Sequence, residues 1–105
     1  FPLWLSPVQV KILPISENEV EYANEIKDRL KKSGYRIEVD SSNEKIGYKI
    51  RSAQLEKVPY MIVLGKNEIE NNNISIRSRN GEKMDSITVD NFIAIINNEI
   101  QETFN

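Results

Sequence analysis

Hydrophobic and polar positions along the chain predict five β-strands. The central one, Tyr60–Leu64, is an uninterrupted apolar run, and a run of that length suits a strand buried on both faces. Pro59 stands near its start, where a missing N–H does least damage to the sheet, and Gly65 offers a flexible exit. The remaining strands are predicted at residues 8–14, 35–39, 74–79 and 83–87.

Three stretches predict amphipathic helices because their apolar residues recur at three- and four-residue spacing. Ser16, Ser41 and Thr88 are the predicted N-caps, the first two as capping boxes with a glutamate three residues later. Gly34 is the predicted stop of the first helix. The apolar stripes consist of Val20, Ala23, Ile26 and Leu30, then Ile46, Ile50 and Ala53, and finally Val89, Phe92, Ile93, Ile96, Ile100 and Phe104.

The order of these elements predicts the fold class. Strand and helix alternate twice before the central strand, so the first three strands are expected to be parallel, with right-handed crossovers. Asn80-Gly81 predicts a type I′ hairpin between the last two strands, with Arg77 and Arg79 on one face. We therefore expect an α/β fold: a mixed sheet of about five strands with three helices, in the order βαβαβ, hairpin, α.

Composition excludes most catalytic chemistry. The sequence has no histidine and no cysteine, which removes disulfides, thiolate nucleophiles, Ser-His-Asp chemistry and the usual zinc ligands. It also has no glycine-rich phosphate loop. No signal peptide, lipidation motif or long apolar segment is present, so we expect a cytoplasmic protein without a membrane partner.

Charge is unevenly distributed although the net charge is only −2. Acidic residues crowd into the first helix, whereas the second helix and the hairpin have basic residues with few acids nearby. Lys45, Lys49 and Arg51 are expected on the outer faces of the second helix. Phosphate contacts are predicted for Lys45, Arg51 and Lys57.

Three further residues suit contacts with nucleobases. Arg77 would project from a rigid strand beside a tight turn, and its planar fork suits guanine O6 and N7. Glu68 can accept a hydrogen bond from a base N–H, and Asn43, near the start of the second helix, can both donate and accept. On composition alone, an ordinary charged surface is the favoured explanation of these residues.

Four segments occur in a characteristic order: residues 1–10 (FPLWLSPVQV), 43–51 (NEKIGYKIR), 58–61 (VPYM) and 76–81 (IRSRNG). Together they resemble the C-terminal anticodon-binding domain of threonyl-tRNA synthetase, and the resemblance covers essentially the whole chain. The prolyl, glycyl and histidyl synthetases share that fold but resemble the first segment less. The resemblance implies that residues 1–7 are a linker from an upstream catalytic domain and that residues 8–105 are the anticodon-binding domain.

The resemblance also implies a function and a site. The domain would bind the anticodon loop of tRNA(Thr). The full-length enzyme, a homodimer, would charge this tRNA with threonine, using ATP and magnesium and carrying zinc, while this fragment alone would be non-catalytic and need no cofactor. Arg77 would read the guanine at the middle anticodon position, with Glu68 at a base edge and Asn43 near the third-position uracil. Other contacts to the loop would come from Lys45, Arg51, Lys57 and Arg79.

This interpretation has two departures from the family pattern. Lys57 stands where the family commonly has arginine, and Asn80 where a further arginine is frequent.

Several alternatives stay open. The apolar start, residues 1–5, would be an arm over the domain's own core, a cut linker from an upstream domain, or both. The alternative function is a non-catalytic protein-interaction or accessory-subunit module on the same fold, or the equivalent domain of a prolyl, glycyl or histidyl synthetase. A small-molecule enzyme comes third.

Overall fold

One mixed sheet of five strands forms the centre of the molecule. The computed structural model describes residues 6–79 and 81–104, the last five as backbone. The strands are β1 (Val10–Pro14), β2 (Ile37–Val39), β3 (Tyr60–Leu64), β4 (Ile74–Ser78) and β5 (Lys83–Ile87), in the order β2-β1-β3-β4-β5. The helices of this part of the chain are α1 (Val20–Lys32), α2 (Ile46–Leu55), α3 (Lys66–Asn71) and α4 (Val89–Phe104), with a 3-10 turn, Glu17–Glu19, before α1.

The strand pairing confirms the predicted topology. β1 is parallel to both β2 and β3, whereas β4 is antiparallel to β3 and to β5. β3 is the middle strand, and its Met61 and Ile62 are buried on opposite faces. The α/β class, the mixed sheet and the central position of Tyr60–Leu64 are therefore confirmed.

The prediction of three helices was wrong, because residues 66–71 form the additional helix α3. Six residues are too few to display an apolar stripe, so hydrophobic periodicity could not reveal it. The Glu68 carboxylate accepts a hydrogen bond from the Gly65 N–H at 2.9 Å and so caps the first turn. Asn72 ends the helix in the left-handed conformation, with φ 54°.

Gly65 has a steric role rather than the predicted flexible one. Its backbone is extended, with φ −125°, a conformation open to any residue. A Cβ added there would lie 2.9 Å from Cδ1 of Ile15. Glycine thus leaves room for the end of the Ile15 side chain, which is itself exposed.

Of the four predicted helix ends, Thr88 and Gly34 are confirmed, whereas Ser16 and Ser41 differ. The Asn91 N–H donates to the Thr88 side chain at 3.2 Å, and Gly34 follows α1 with φ 93°. Ser16, however, does not cap a backbone N–H with its side chain. Its hydroxyl donates to the Glu19 carboxylate at 2.5 Å, while the Glu19 N–H donates to the Ser16 carbonyl at 3.2 Å.

The hairpin has a three-residue loop, not the predicted two-residue type I′ turn. The Ser78 N–H donates to the Glu82 carbonyl at 2.9 Å, so residues 79–81 form the loop. Gly81 has φ 89°, as expected for the last position of such a loop. The conformation of Asn80 lies outside the described residues.

Helices cover the two faces of the sheet unequally. On one face α1 and α4 bury the larger core, in which the rings of Tyr60 and Phe92 meet edge to face at 5.5 Å. On the other face α2 buries a smaller core with Leu13, Ala53 and Met61. Because α2 lies over β1 and β3, the second face of β4 and β5 stays partly open. None of the described helices is long and apolar enough to cross a membrane.

Candidate nucleic-acid interface

The open part of the sheet contains a cleft of about 270 Å³ beside the hairpin. We call it the hairpin cleft. It contains side chains from the end of β3, from α3 and from both hairpin strands. They include Val63, Glu68, Ser75, Arg77, Lys83 and Asp85.

Strand geometry places Arg77 in this cleft. Ile74 and Ile76 are buried in the larger core, so the alternation of side chains along β4 turns Arg77 to the opposite, open face. There it lies across from Met61 on β3 and from Lys83 on β5. Like charges directly opposite one another destabilise a sheet, but two carboxylates, Glu68 and Asp85, lie in the same cleft. The cleft therefore offers both donors and acceptors, which suits the edge of a nucleobase.

Arg77 is half-buried, and its guanidinium makes no hydrogen bond or ion pair within the described chain. A guanidinium has five N–H donors in a fixed fork. On a strand in the sheet interior, the backbone of Arg77 is fixed, and the guanidinium can turn toward a ligand in the cleft. The arrangement suits bidentate binding of a carboxylate, a phosphate or a guanine edge.

The missed helix α3 brings Glu68 into the same cleft. One carboxylate oxygen is held by the Gly65 N–H, so the orientation of the side chain is fixed by the start of the helix. No ion pair joins Glu68 to Arg77 in the described residues. The second oxygen can therefore accept a hydrogen bond from a ligand next to Arg77.

α2 turns one flank toward the hairpin cleft. Glu56, just after the helix, accepts a hydrogen bond from Lys11 at 3.0 Å, and Lys11 also pairs with Glu38 of β2 at 3.5 Å. Glu56 thus marks the β2 side of the helix. Since each residue turns the helix by about 100°, Gly47 lies about 180° and Arg51 about 140° from Glu56. Both are on the side of β3 and β4, with Arg51 exposed at the outer rim.

Asn43 and Lys45 lie elsewhere, in the loop that joins β2 to α2. Asn43 is exposed and lines a depression of about 100 Å³ with Ile15, Ser16 and Ser42. This depression is at the carboxyl ends of β1 and β2. The structure therefore does not place Asn43 in one cavity with Arg77.

The predicted Ser41–Glu44 cap in that loop was wrong. α2 begins at Ile46, and the extended residue Lys45 is its N-cap, without a side-chain cap bond. Instead, the Asp40 carboxylate accepts a hydrogen bond from the Ser42 N–H at 3.1 Å. This local turn uses the first loop residues, so the helix starts later than the serine suggested.

Lys57 lies at the opposite end of α2. It has φ 60° and lines a depression of about 230 Å³ with Pro7, Val8 and Val58. Ten helical residues span about 15 Å, so Lys45 and Lys57 cannot bind the same phosphate. They suit an extended chain that follows the helix.

The expectation that Arg77 and Arg79 share a face was wrong. Arg79 lines a separate depression of about 120 Å³ with Pro59, Tyr60 and Glu99. It is the first residue of the hairpin loop, and its N–H donates to the Pro59 carbonyl at 2.9 Å. Strand alternation ends at Ser78, so it no longer determines the direction of the Arg79 side chain.

Lys49 was also misplaced by the sequence interpretation, which put it on an outer face of the second helix. Its side chain is buried, with only 2% of the residue exposed. The ammonium donates to the Pro14 carbonyl at 2.9 Å and to the Asp40 carbonyl at 3.3 Å. Its position between Ile46 and Ala53 at helical spacing was the available signal.

The Lys49 ammonium also contributes to the electrostatics of the loop. Burial by itself raises the pKa of the Asp40 carboxyl, but the hydrogen bonds from Ser42 and the charge of Lys49 outweigh it, so the pKa is lowered below its usual value. The carboxylate therefore stays ionised and keeps its turn. Among the described residues, no group of three or more acidic side chains could hold a metal ion.

Comparison with known proteins gives this geometry a context. A family model described as an anticodon binding domain matches residues 9–99. A threonine–tRNA ligase of Clostridioides difficile (strain 630) is 56% identical over 101 residues, which are 96% of this chain and 16% of that protein. The chain thus spans 16% of the length of the curated relatives it matches.

Two solved structures are similar in fold. The RNA binding domain of threonyl-tRNA synthetase from Cryptosporidium parvum Iowa II has a TM-score of 0.86 and 35% identity, covering 94% of this chain and 25% of that one. A prolyl-tRNA synthetase from Cryptosporidium parvum, solved with halofuginone and AMPPNP, has a TM-score of 0.84 and 29% identity, covering 96% and 22%.

Proposed function

The chain belongs to the anticodon-binding domain family, and on that premise we propose that it binds the anticodon loop of tRNA(Thr) as part of a threonine–tRNA ligase. The observation that carries the proposal is Arg77. Its half-buried guanidinium has no partner in the described chain, faces an open cleft and lies across from Lys83. An unstacked base, which offers both acceptors and donors, fits a cleft that holds Arg77 and Lys83 beside Glu68 and Asp85, and anticodon loops present such bases.

In this proposal Arg77 and Glu68 read one base together. The Arg77 fork donates to O6 and N7 of the guanine at the middle anticodon position. The Glu68 oxygen not used in capping accepts from an N–H of a base in the same cleft. Because the Gly65 N–H holds the Glu68 carboxylate, this group is oriented before RNA binds, which lowers the entropy cost of binding. The sheet fixes the backbone of Arg77.

The remaining residues would contact the rest of the loop. Asn43, at the carboxyl ends of β1 and β2, would bind the third-position uracil. Lys45, Arg51 and Lys57 are distributed along α2 and would contact the sugar-phosphate backbone. Arg79 lies outside the hairpin cleft and would contact the part of the anticodon loop that lies next to the cleft.

The rest of the ligase would supply the chemistry. Residues 1–7 would be the linker from an upstream catalytic domain, and residues 8–105 the anticodon-binding domain. That catalytic domain would use ATP and magnesium to activate threonine, carry zinc, and form the dimer of a cytoplasmic enzyme. The anticodon-binding domain would contribute recognition of the tRNA and none of these cofactors.

Two arginines on different faces test the proposal. An RNA stem-loop with the tRNA(Thr) anticodon is titrated into the chain and into the variants Arg77→Ala and Arg29→Ala. Arg29 is exposed and pairs with Asp90 at 2.8 Å, on the α1–α4 side of the sheet. Arg77→Ala should weaken binding by about 1–3 kcal/mol and relax discrimination against adenine at the middle position.

Arg29→Ala should change neither affinity nor discrimination. Equal losses from the two variants, without any change in base preference, would reduce Arg77 to a nonspecific electrostatic contact. A second stem-loop, with 7-deazaguanine at the middle position, lacks only the N7 acceptor. Compared with the guanine stem-loop, it should bind the unaltered chain more weakly. It should bind the Arg77→Ala variant with the same affinity as the guanine stem-loop.

A second function is favoured by the outer face of α2. Tyr48 is 59% exposed and Leu55 is 78% exposed. Because they are seven residues apart, they lie on the same face of the helix, about two turns from each other. Apolar side chains in that position suit a protein contact, as in an interaction or accessory-subunit module. Tight self-association that Leu55→Ser abolishes, together with RNA binding that does not depend on salt, would support this function instead.

A further inference from the structure

The buried ammonium of Lys49 is an unusual way to attach a helix to a sheet. Burying a charge is costly unless its donors are satisfied. No carboxylate pairs with Lys49 within the described residues. Its hydrogen bonds go to two neutral carbonyls, of Pro14 and Asp40. An apolar side chain there would extend the stripe of α2 without this cost, so the lysine serves a purpose that packing alone does not.

The two carbonyls identify that purpose. Pro14 is the last residue of β1, and Asp40 is the first residue after β2. The Asp40 N–H donates to the Ile12 carbonyl at 2.9 Å. The Asp40 carboxylate in turn accepts the Ser42 N–H. Lys49 thus fixes the point at which the loop of residues 40–45 leaves the sheet.

The same lysine belongs to the helix at the other end of that loop. Lys49 lies in the first turn of α2, and its backbone N–H makes the ordinary helical hydrogen bond to the Lys45 carbonyl at 3.1 Å, where the loop joins the helix. The side-chain bonds to Pro14 and Asp40 therefore tie the start of the helix to the point where the loop leaves the sheet. Asn43, at its centre, is exposed and makes no side-chain hydrogen bond within the described chain. Its direction depends on how the ends are held.

We propose that Lys49 is a positioning residue that holds Asn43 in its RNA-binding orientation. This inference rests on the function proposed above. Lys49 borders the same depression as Asn43 but is only 2% exposed, and its ammonium is taken up by the two carbonyls. It would act through the Asp40 carbonyl and the loop, so removing it should remove the benefit of Asn43 and leave the hairpin cleft unchanged.

A double-mutant cycle tests the inference. The dissociation constant of the tRNA(Thr) anticodon stem-loop is measured for the chain, for Asn43→Ala, for Lys49→Met and for the double variant, by NMR titration, which detects weak binding. Methionine keeps the length of the side chain and removes the donors. Asn43→Ala should weaken binding about 10-fold in the presence of Lys49, and less than about twofold with Lys49→Met, since coupled residues are not additive.

Two further variants separate positioning from general stability. Arg77→Ala should lower the RNA affinity by the same factor with Lys49 and with Lys49→Met, because the hairpin cleft does not depend on the loop of residues 40–45. Lys49→Arg keeps N–H donors at the position and should restore preference for uracil at the third position. If Lys49→Met does not fold, Lys49→Gln replaces it, because a shorter, neutral amide removes the ammonium that donates to the Pro14 and Asp40 carbonyls.

The possible results lead to different conclusions. If Asn43→Ala weakens RNA binding by the same factor with Lys49 and with Lys49→Met, the positioning role is overturned. It is also overturned if Lys49→Met abolishes the effect of Arg77→Ala together with that of Asn43→Ala, because Lys49 would then support only the fold. If Asn43→Ala has no effect in the presence of Lys49, the role of Asn43 in the proposed function is refuted as well.

Discussion

Replacing Gly47 by alanine tests where RNA approaches the protein. Gly47 is the second residue of α2, and an added Cβ would have no atom within 4 Å. Its φ is not positive, so alanine fits the backbone without strain. Glycine costs about 0.5–1 kcal/mol relative to alanine in a helix. We therefore expect Gly47→Ala to increase the free energy of unfolding by about that amount.

The same substitution should weaken RNA binding. Gly47 lies on the flank of α2 that faces β3 and β4, and nothing in the described chain fills the space next to it. If RNA comes close to the helix there, a methyl group obstructs it. We expect a loss of about fivefold or more, equivalent to about 1 kcal/mol, in a protein that has become more stable.

Urea unfolding followed by circular dichroism measures the first effect, and stem-loop titration measures the second. Asn24→Ala is the matched control, because Asn24 is exposed in α1 on the other side of the sheet. It should stabilise the chain slightly and leave RNA binding unchanged. If Gly47→Ala lowers the free energy of unfolding, the gain expected from helix propensity is refuted. If it raises the free energy of unfolding and leaves RNA binding unchanged, RNA does not approach α2 at this residue.

Further predictions concern stability. Phe92→Ala should cost about 3–5 kcal/mol in urea unfolding, because Phe92 is fully buried, whereas Leu55→Ala, at a residue 78% exposed, should change stability by less than about 0.5 kcal/mol. Burial, then the hydrogen bond to Glu99, raises the pKa of the Tyr60 phenol. The unfolded state therefore ionises first, so stability should fall as the pH rises above about 10, and less steeply in Tyr60→Phe. The lowered pKa of Asp40 predicts the opposite limb, a loss of stability as the pH falls below about 4 that Asp40→Asn should reduce.

The fold could be predicted where the signals were long or strongly marked. The apolar run Tyr60–Leu64 gave the central strand with its observed bounds, and the stripe that starts at Val89 gave the last helix. α3 was missed because six residues, with Ile69 as the only large apolar one, do not show a period. The hairpin loop was one residue longer than expected, because Asn-Gly pairs also suit loops in which the glycine comes third.

The candidate site was predictable only in part, because several of its residues depend on tertiary structure. Strand alternation placed Arg77, but Glu68 reaches the same cleft only through α3. Arg79 leaves that face because the strand ends before it. Lys49 lies on the apolar stripe by spacing, and its charge led to the wrong assignment. Sequence distance could not show that Asn43 belongs to a separate depression.

The most direct test of the proposed function maps the RNA-binding surface. The ¹⁵N-labelled chain is titrated with the tRNA(Thr) anticodon stem-loop at low and at physiological salt. We expect the amide signals of β4, of α3 and of residues 40–57 to shift, those of α1 to stay unchanged, and the affinity to fall as salt is added. Shifts confined to α1, or binding that is insensitive to salt, would refute the proposed function.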